Sequence, residues 1–104
     1  VYIFNDAGYV ESSNMTACKT TFQFATMTSQ LYLIHHTTRI SQQVAGKTAN
    51  YTGETSAVLE YHWNCNNTNL SGFRTNTQGS LAIGGTEYHA SAYDKFDEDI
   101  HCGI

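Results

Sequence analysis

Two side chains suited to phosphodiester chemistry stand at the two ends of one segment, FRTNTQGSLAIGGTEYH, residues 73–89: Arg74 close to one end and His89 at the other. A guanidinium that neutralises a phosphate and an imidazole that moves a proton are two of the parts such a cleavage needs. Further residues of suitable type lie earlier, with Tyr32 and His35 in LYLIHHT (31–37) and Glu60 in AVLEYHW (57–63). A carboxylate base, a histidine acid and a cation over the phosphate, assisted by tyrosine and a second histidine, complete the inventory.

Spacing decides whether these parts meet. The segment reads as two extended runs folded over a turn centred on Gln78 and Gly79, which sets Arg74 across from Leu81. His89 then lies eight positions further along its strand, roughly 25 Å away at the usual rise per residue. A bulge at Gly84-Gly85 recovers one residue, not eight. Arg74 and His89 are therefore expected on a sheet surface, out of reach of one ligand. His35 and His36 are adjacent in a strand and point to opposite faces, so at most one enters a pocket. Glu60 sits in an apolar strand and is expected to be buried, with His62 on the same face as its structural partner.

The elements that would position these residues are read as follows. VYIF is a first strand and NDAG a turn. In SSNMTACKTTFQFATMTSQ (12–30), Met15, Cys18, Phe22 and Ala25 recur at steps of three, four and three. That spacing predicts an amphipathic helix capped by Ser12 or Ser13. LYLIHHT and AVLEYHW are strands. Residues 38–56 are taken as a long loop or an irregular hairpin, 64–72 as a turn and 90–99 as a loop, before a short last strand at 100–103. The expected fold is α+β, a single domain over 1–104 with one N-terminal helix on an antiparallel sheet.

Composition narrows the partners. The chain has 104 residues, five Lys and Arg against nine Asp and Glu, and a net charge of −4. With no basic stripe, RNA binding is expected to be weak or absent. The longest apolar run, LYLI, is strand-sized, so no membrane span is expected, and the chain is read as a monomer. Three cysteines permit one disulfide and one free thiol. Cys18 falls on the helix face as a buried free thiol, while Cys65 and Cys102 sit at strand ends and are the expected bridge. No Cys-x-x-Cys or His-x-x-x-His spacing occurs, and DKFDED lacks the glycine and the twelfth-position glutamate of a calcium loop, so neither metal nor cofactor is expected. Four glycosylation-type triplets, at 14, 50, 66 and 69, and a start without Met suggest a secreted chain after signal removal.

The order strand, turn, helix, antiparallel sheet and late cysteine resembles the microbial guanyl-specific ribonuclease fold. More closely it resembles the small secreted ribonuclease-like effectors of powdery mildew fungi. The residues carrying this are VYIFNDAGYVESSNMTAC at the front and TNTQGSLAI with Cys102 at the back. Phe4 stands where that family has the cysteine that pairs with the late one, so the family's bridge has no counterpart here. The resemblance implies a catalytically inactive effector, delivered into plant cells, that binds host proteins and is open to recognition by an intracellular immune receptor. An active ribonuclease or ribotoxin is the alternative, and a secreted antimicrobial toxin a third reading. If catalysis is absent, recognition is expected from aromatic and charged residues of the loops, namely Tyr51, Tyr93, Asp94, Phe96 and Asp97.

Overall fold

The computed structural model describes residues 1–104 as six strands. They are β1 (Tyr2–Asp6), β2 (Tyr9–His35), β3 (Ser41–Asn64), β4 (Asn67–Ile83), β5 (Thr86–Lys95) and β6 (Ile100–Gly103). Strands take up 84% of the chain and helix none, so the expected α+β plan with its N-terminal helix is corrected to an all-β fold. Every pairing is antiparallel.

The supposed helix is the first half of β2. Its Ser, Thr and Asn residues are poor helix formers, and threonine's branched side chain suits a pleated sheet. The buried positions run Val10, Ser12, Asn14 and, further on, Ala25, Met27, Ser29, Leu31, Leu33, which is the period of a strand. Met15, assigned to the core by the helical spacing, is 62% exposed.

β2 and β3 form one long hairpin that folds over on itself. Pairing runs from Tyr9↔Asn64 to Ala17↔Ser56 and resumes at Phe22↔Glu54, continuing to Ile34↔Ser41. Between these stretches, residues 18–21 of β2 face only Thr55, and Gly53 takes φ +65°, a left-handed conformation that glycine adopts without a Cβ clash. The two halves of β2 are thereby brought face to face, with Ser12 Oγ 3.5 Å from Ser29 Oγ. One layer comprises β1, the first half of β2 and the second half of β3. The larger layer comprises the first half of β3, the second half of β2, β4 and β5, with β6 on the early end of β4.

Two apolar clusters fill the space between layers. One gathers Ile3, Val10, Leu31, Leu33, Phe73 and Cys102; the other gathers Phe22, Ala25, Met27, Ala57 and Leu59. A polar network also lies in this interior. Ser12 meets Thr75 at 2.6 Å, Thr77 donates to Asn14 Oδ1 at 2.6 Å, and Ser29 meets the Tyr61 hydroxyl at 2.7 Å. Every buried side-chain polar atom has a partner, as burial demands.

The Cys65–Cys102 bridge forms as expected and ties the β3–β4 turn to β6. Cys18 is free, half-buried in the bend of β2. The turn expected at Gln78-Gly79 is absent, since both lie inside β4. The hairpin closes instead at Gly84-Gly85, with φ +56° and +82°, the paired positive angles of a type I′ turn. The three expected loops are likewise shortened. β3 occupies most of 38–56, β4 begins at Asn67, and β5 runs to Lys95.

Candidate functional site

The residues suited to phosphodiester cleavage are dispersed. Tyr32 and Arg74 are register partners on β2 and β4. His35 ends β2, its Nε2 3.1 Å from Gln42 Oε1. Glu60 lies in the other layer and is exposed, correcting its expected burial; it accepts from Ser13 Oγ at 3.2 Å. His62 packs on Tyr9, ring centroids 5.5 Å apart, instead of pairing with Glu60. Arg74 faces Lys95, and His89 faces Ser80 six positions away, roughly 20 Å along the sheet. No base, acid and cation converge on one point.

The expected recognition residues divide by what they touch. Tyr51 is half-buried against the Phe22 cluster and its hydroxyl donates to the Val58 carbonyl. Phe96 packs edge-on against Phe73 at 6.2 Å. Asp94 accepts the Ile3 N–H at 2.9 Å, joining the edge strands β1 and β5. These three hold the fold together. Asp97 is exposed between strands, and Tyr93 is 58% exposed on β5.

Tyr93 belongs to a surface that the sequence reading missed. On the outward side of the larger layer, four strands set their side chains in rows. Asn50, Thr26, Ser80 and His89 form one row, and Thr48, Thr28, Gln78 and Ser91 the next. Gly46, Gln30, Asn76 and Tyr93 follow, then Gln43, Tyr32, Arg74 and Lys95. Only Arg74 and Lys95 carry a fixed charge in this field. Two shallow hollows along β4 share Gln78 and Ser91 and merge into one trough, from Ser80 and His89 at one end to Arg74 and Tyr93 at the other.

Within the face some groups are already engaged. Thr26 donates to Asn50 Oδ1 at 2.7 Å, Thr28 and Thr48 meet at 3.1 Å, and Arg74 Nε donates to Asn76 Oδ1 at 2.7 Å. The Arg74 guanidinium lies 4.1 Å over the Tyr93 ring. Gln30, Gln78, Ser80 and Ser91 take no part in these bonds, so their donors and acceptors are open to a ligand. The signal was present in the sequence: T-x-T-x-Q-x-Y from 26, R-x-N-x-Q-x-S from 74 and H-x-S-x-Y-x-K from 89.

Two further features bear on the surface. A cleft of about 210 Å³ opens between Met15, Met27, Leu81 and Tyr88 and shares Ser80, His89 and Ser91 with the first hollow. At the end formed by the β2–β3 turn, Asp99 accepts from His36 at 2.6 Å and from Arg39 at 2.7 Å. The His36 hydrogen bond, with Arg39 assisting, holds the Asp99 carboxyl below its ordinary value against the opposing effect of burial. The neighbouring Asp6 carboxylate pushes the Tyr9 hydroxyl up. No three His, Cys, Asp or Glu side chains are grouped so as to hold a metal ion.

No family model matches the chain, and neither a curated protein nor a solved structure matches it.

Proposed function

We propose that the chain is a non-catalytic binding module whose outward polar face takes an extended glycan. One observation carries this reading: a sunken, contiguous field of uncharged hydroxyl and amide side chains, edged by tyrosine, spans four adjacent strands. Sugars offer paired hydroxyls, which Gln and Asn bind by donating and accepting at once, and flat C–H faces that lie on aromatic rings. A merely solvated face is usually richer in charge, and the chain as a whole has only 13% charged residues against about 25% in ordinary domains. Protein interfaces tend the other way, since their centres are depleted in Ser. Nucleic acid is disfavoured by the net charge of −4. The Cys65–Cys102 bridge is compatible with an oxidising compartment, such as the one in which extracellular glycans occur.

The test is a panel of oligosaccharides offered to the wild-type protein and to Gln78→Ala and Tyr93→Ala variants. Binding by the wild type and its loss in both folded variants is expected. Binding that survives both substitutions unchanged contradicts the proposal.

A protein partner, the role implied by the resemblance to host-directed effectors, keeps one observation in its favour. β5 is an edge strand paired only with β4, and nearly all of it is exposed. A partner's extended segment would add to that edge through main-chain hydrogen bonds. Proline at Ser91 or Ala92 would weaken such a complex, with circular dichroism as the folding control.

A further inference from the structure

We infer that the Arg74 end of the trough is an anion subsite, which takes the carboxylate or sulfate of an acidic sugar unit. The inference rests on the glycan reading of the face. Arg74 and Lys95 are direct register partners on β4 and β5, and like charges so placed repel. Nine carboxylates are available to five cations, yet the ion pairs of the structure involve only His36, Arg39 and His89. Asp94, next to Lys95 in sequence, is turned to the opposite side of the sheet, where it accepts the Ile3 N–H. The fold thus sets two cations side by side and leaves them without a counter-ion.

Arg74 is also held in place. Its Nε donates to Asn76, and its guanidinium carbon lies over the Tyr93 ring. Both terminal amino groups remain open as a planar fork, the geometry that receives a carboxylate or sulfate through two parallel bonds. Tyr32 stands beside Arg74 on β2 and can add a hydroxyl donor. A lone anion would be served by the two cations alone. The amide and hydroxyl groups of the adjoining rows favour a charged unit within a longer sugar chain.

The experiment compares neutral, uronic-acid and sulfated oligosaccharides on the wild type, Arg74→Gln, Arg74→Lys and Lys95→Gln, with folding checked by circular dichroism. Tetragalacturonate and its methyl ester, whose carboxylates are capped, serve as a matched pair. The acidic ligands are expected to bind about tenfold or more tighter than neutral ones, as a charge-assisted pair implies. Added salt should erode this preference. Arg74→Gln should abolish it, and Lys95→Gln, at an exposed position, should reduce it. Arg74→Lys, which keeps the charge and loses the fork, should fall between. Equal binding of neutral and acidic ligands, with Arg74→Gln inert, overturns the subsite and leaves the glycan reading standing. Failure of every sugar to bind overturns both, and binding of inorganic sulfate alone, without any sugar, likewise leaves only an ordinary cation pair.

Discussion

Asn14 occupies a place between the two layers where an aliphatic side chain is the usual choice. Its amide donates to the Leu59 carbonyl at 3.1 Å and to Ser12 Oγ at 3.0 Å, and its oxygen accepts from Thr77. Removing it strands buried partners. Asn14→Ala is expected to cost about 1–3 kcal/mol, whereas Asn50→Ala on the outward face should change stability by less than about 0.5 kcal/mol. Urea unfolding of both variants measures the contrast. Asp99 makes a second residue-scale prediction. A carboxyl held below its ordinary value of 3.8 stabilises the fold above that pH and loses the contribution as pH falls through the lowered value. The urea midpoints of wild type and Asp99→Asn should therefore differ at neutral pH and converge as pH falls through the lowered value; a gap independent of pH would contradict the assigned bonds. None of this was legible in the sequence. Ser12, Asn14, Ser29, Thr75 and Thr77 point inward, but a polar residue carries no mark of burial.

Among the elements, β2 explains why the sequence misleads. Met15, Cys18, Phe22 and Ala25 share helical spacing, yet residues 18–21 are the bend at which strand phase is lost. The alternation on either side has polar residues on the inward face of the first half, so the strand period is hidden where the helical one is visible. From Ala25 to Leu33 the alternation is legible, because Ala, Met and Leu face in while Thr, Gln and Tyr face out. The β4–β5 turn was misplaced for a related reason. Gln-Gly and Gly-Gly both have turn chemistry, but only Gly84-Gly85 has positive φ at both positions. Gly84→Ala should cost about 1–2 kcal/mol because alanine is strained there. Gly79→Ala, whose added Cβ would lie 3.3 Å from the Thr26 carbonyl, should cost less. Thermal or urea unfolding ranks the two, and the reverse order would restore the turn at Gln78-Gly79.

For the molecule as a whole, the sheet's ends are tied by different means. The Asp94–Ile3 bond joins the edges, and the disulfide joins residues 37 apart in sequence. Replacing Cys65 and Cys102 together by serine should lower stability by about 2–4 kcal/mol; an unchanged urea midpoint would show the closure to be dispensable. The pairing of those two cysteines was legible from their places at strand ends. The two-layer fold was not, since it depends on β2 and β3 bending together, a long-range event without a local motif. The outward polar face follows from that bend, which covers one side of β2 and β4 and leaves the other to solvent.

The central claim is that this uncovered face, and no other surface, receives a glycan. It is tested most directly by adding a bound oligosaccharide to isotope-labelled protein and mapping amide and side-chain NMR shifts. The account predicts perturbations concentrated at Gln30, Arg74, Asn76, Gln78, Ser91 and Tyr93, with Met15, Leu59 and Glu60 of the other layer unmoved. Shifts confined to the Met15–Tyr88 cleft or to the shorter layer would contradict it.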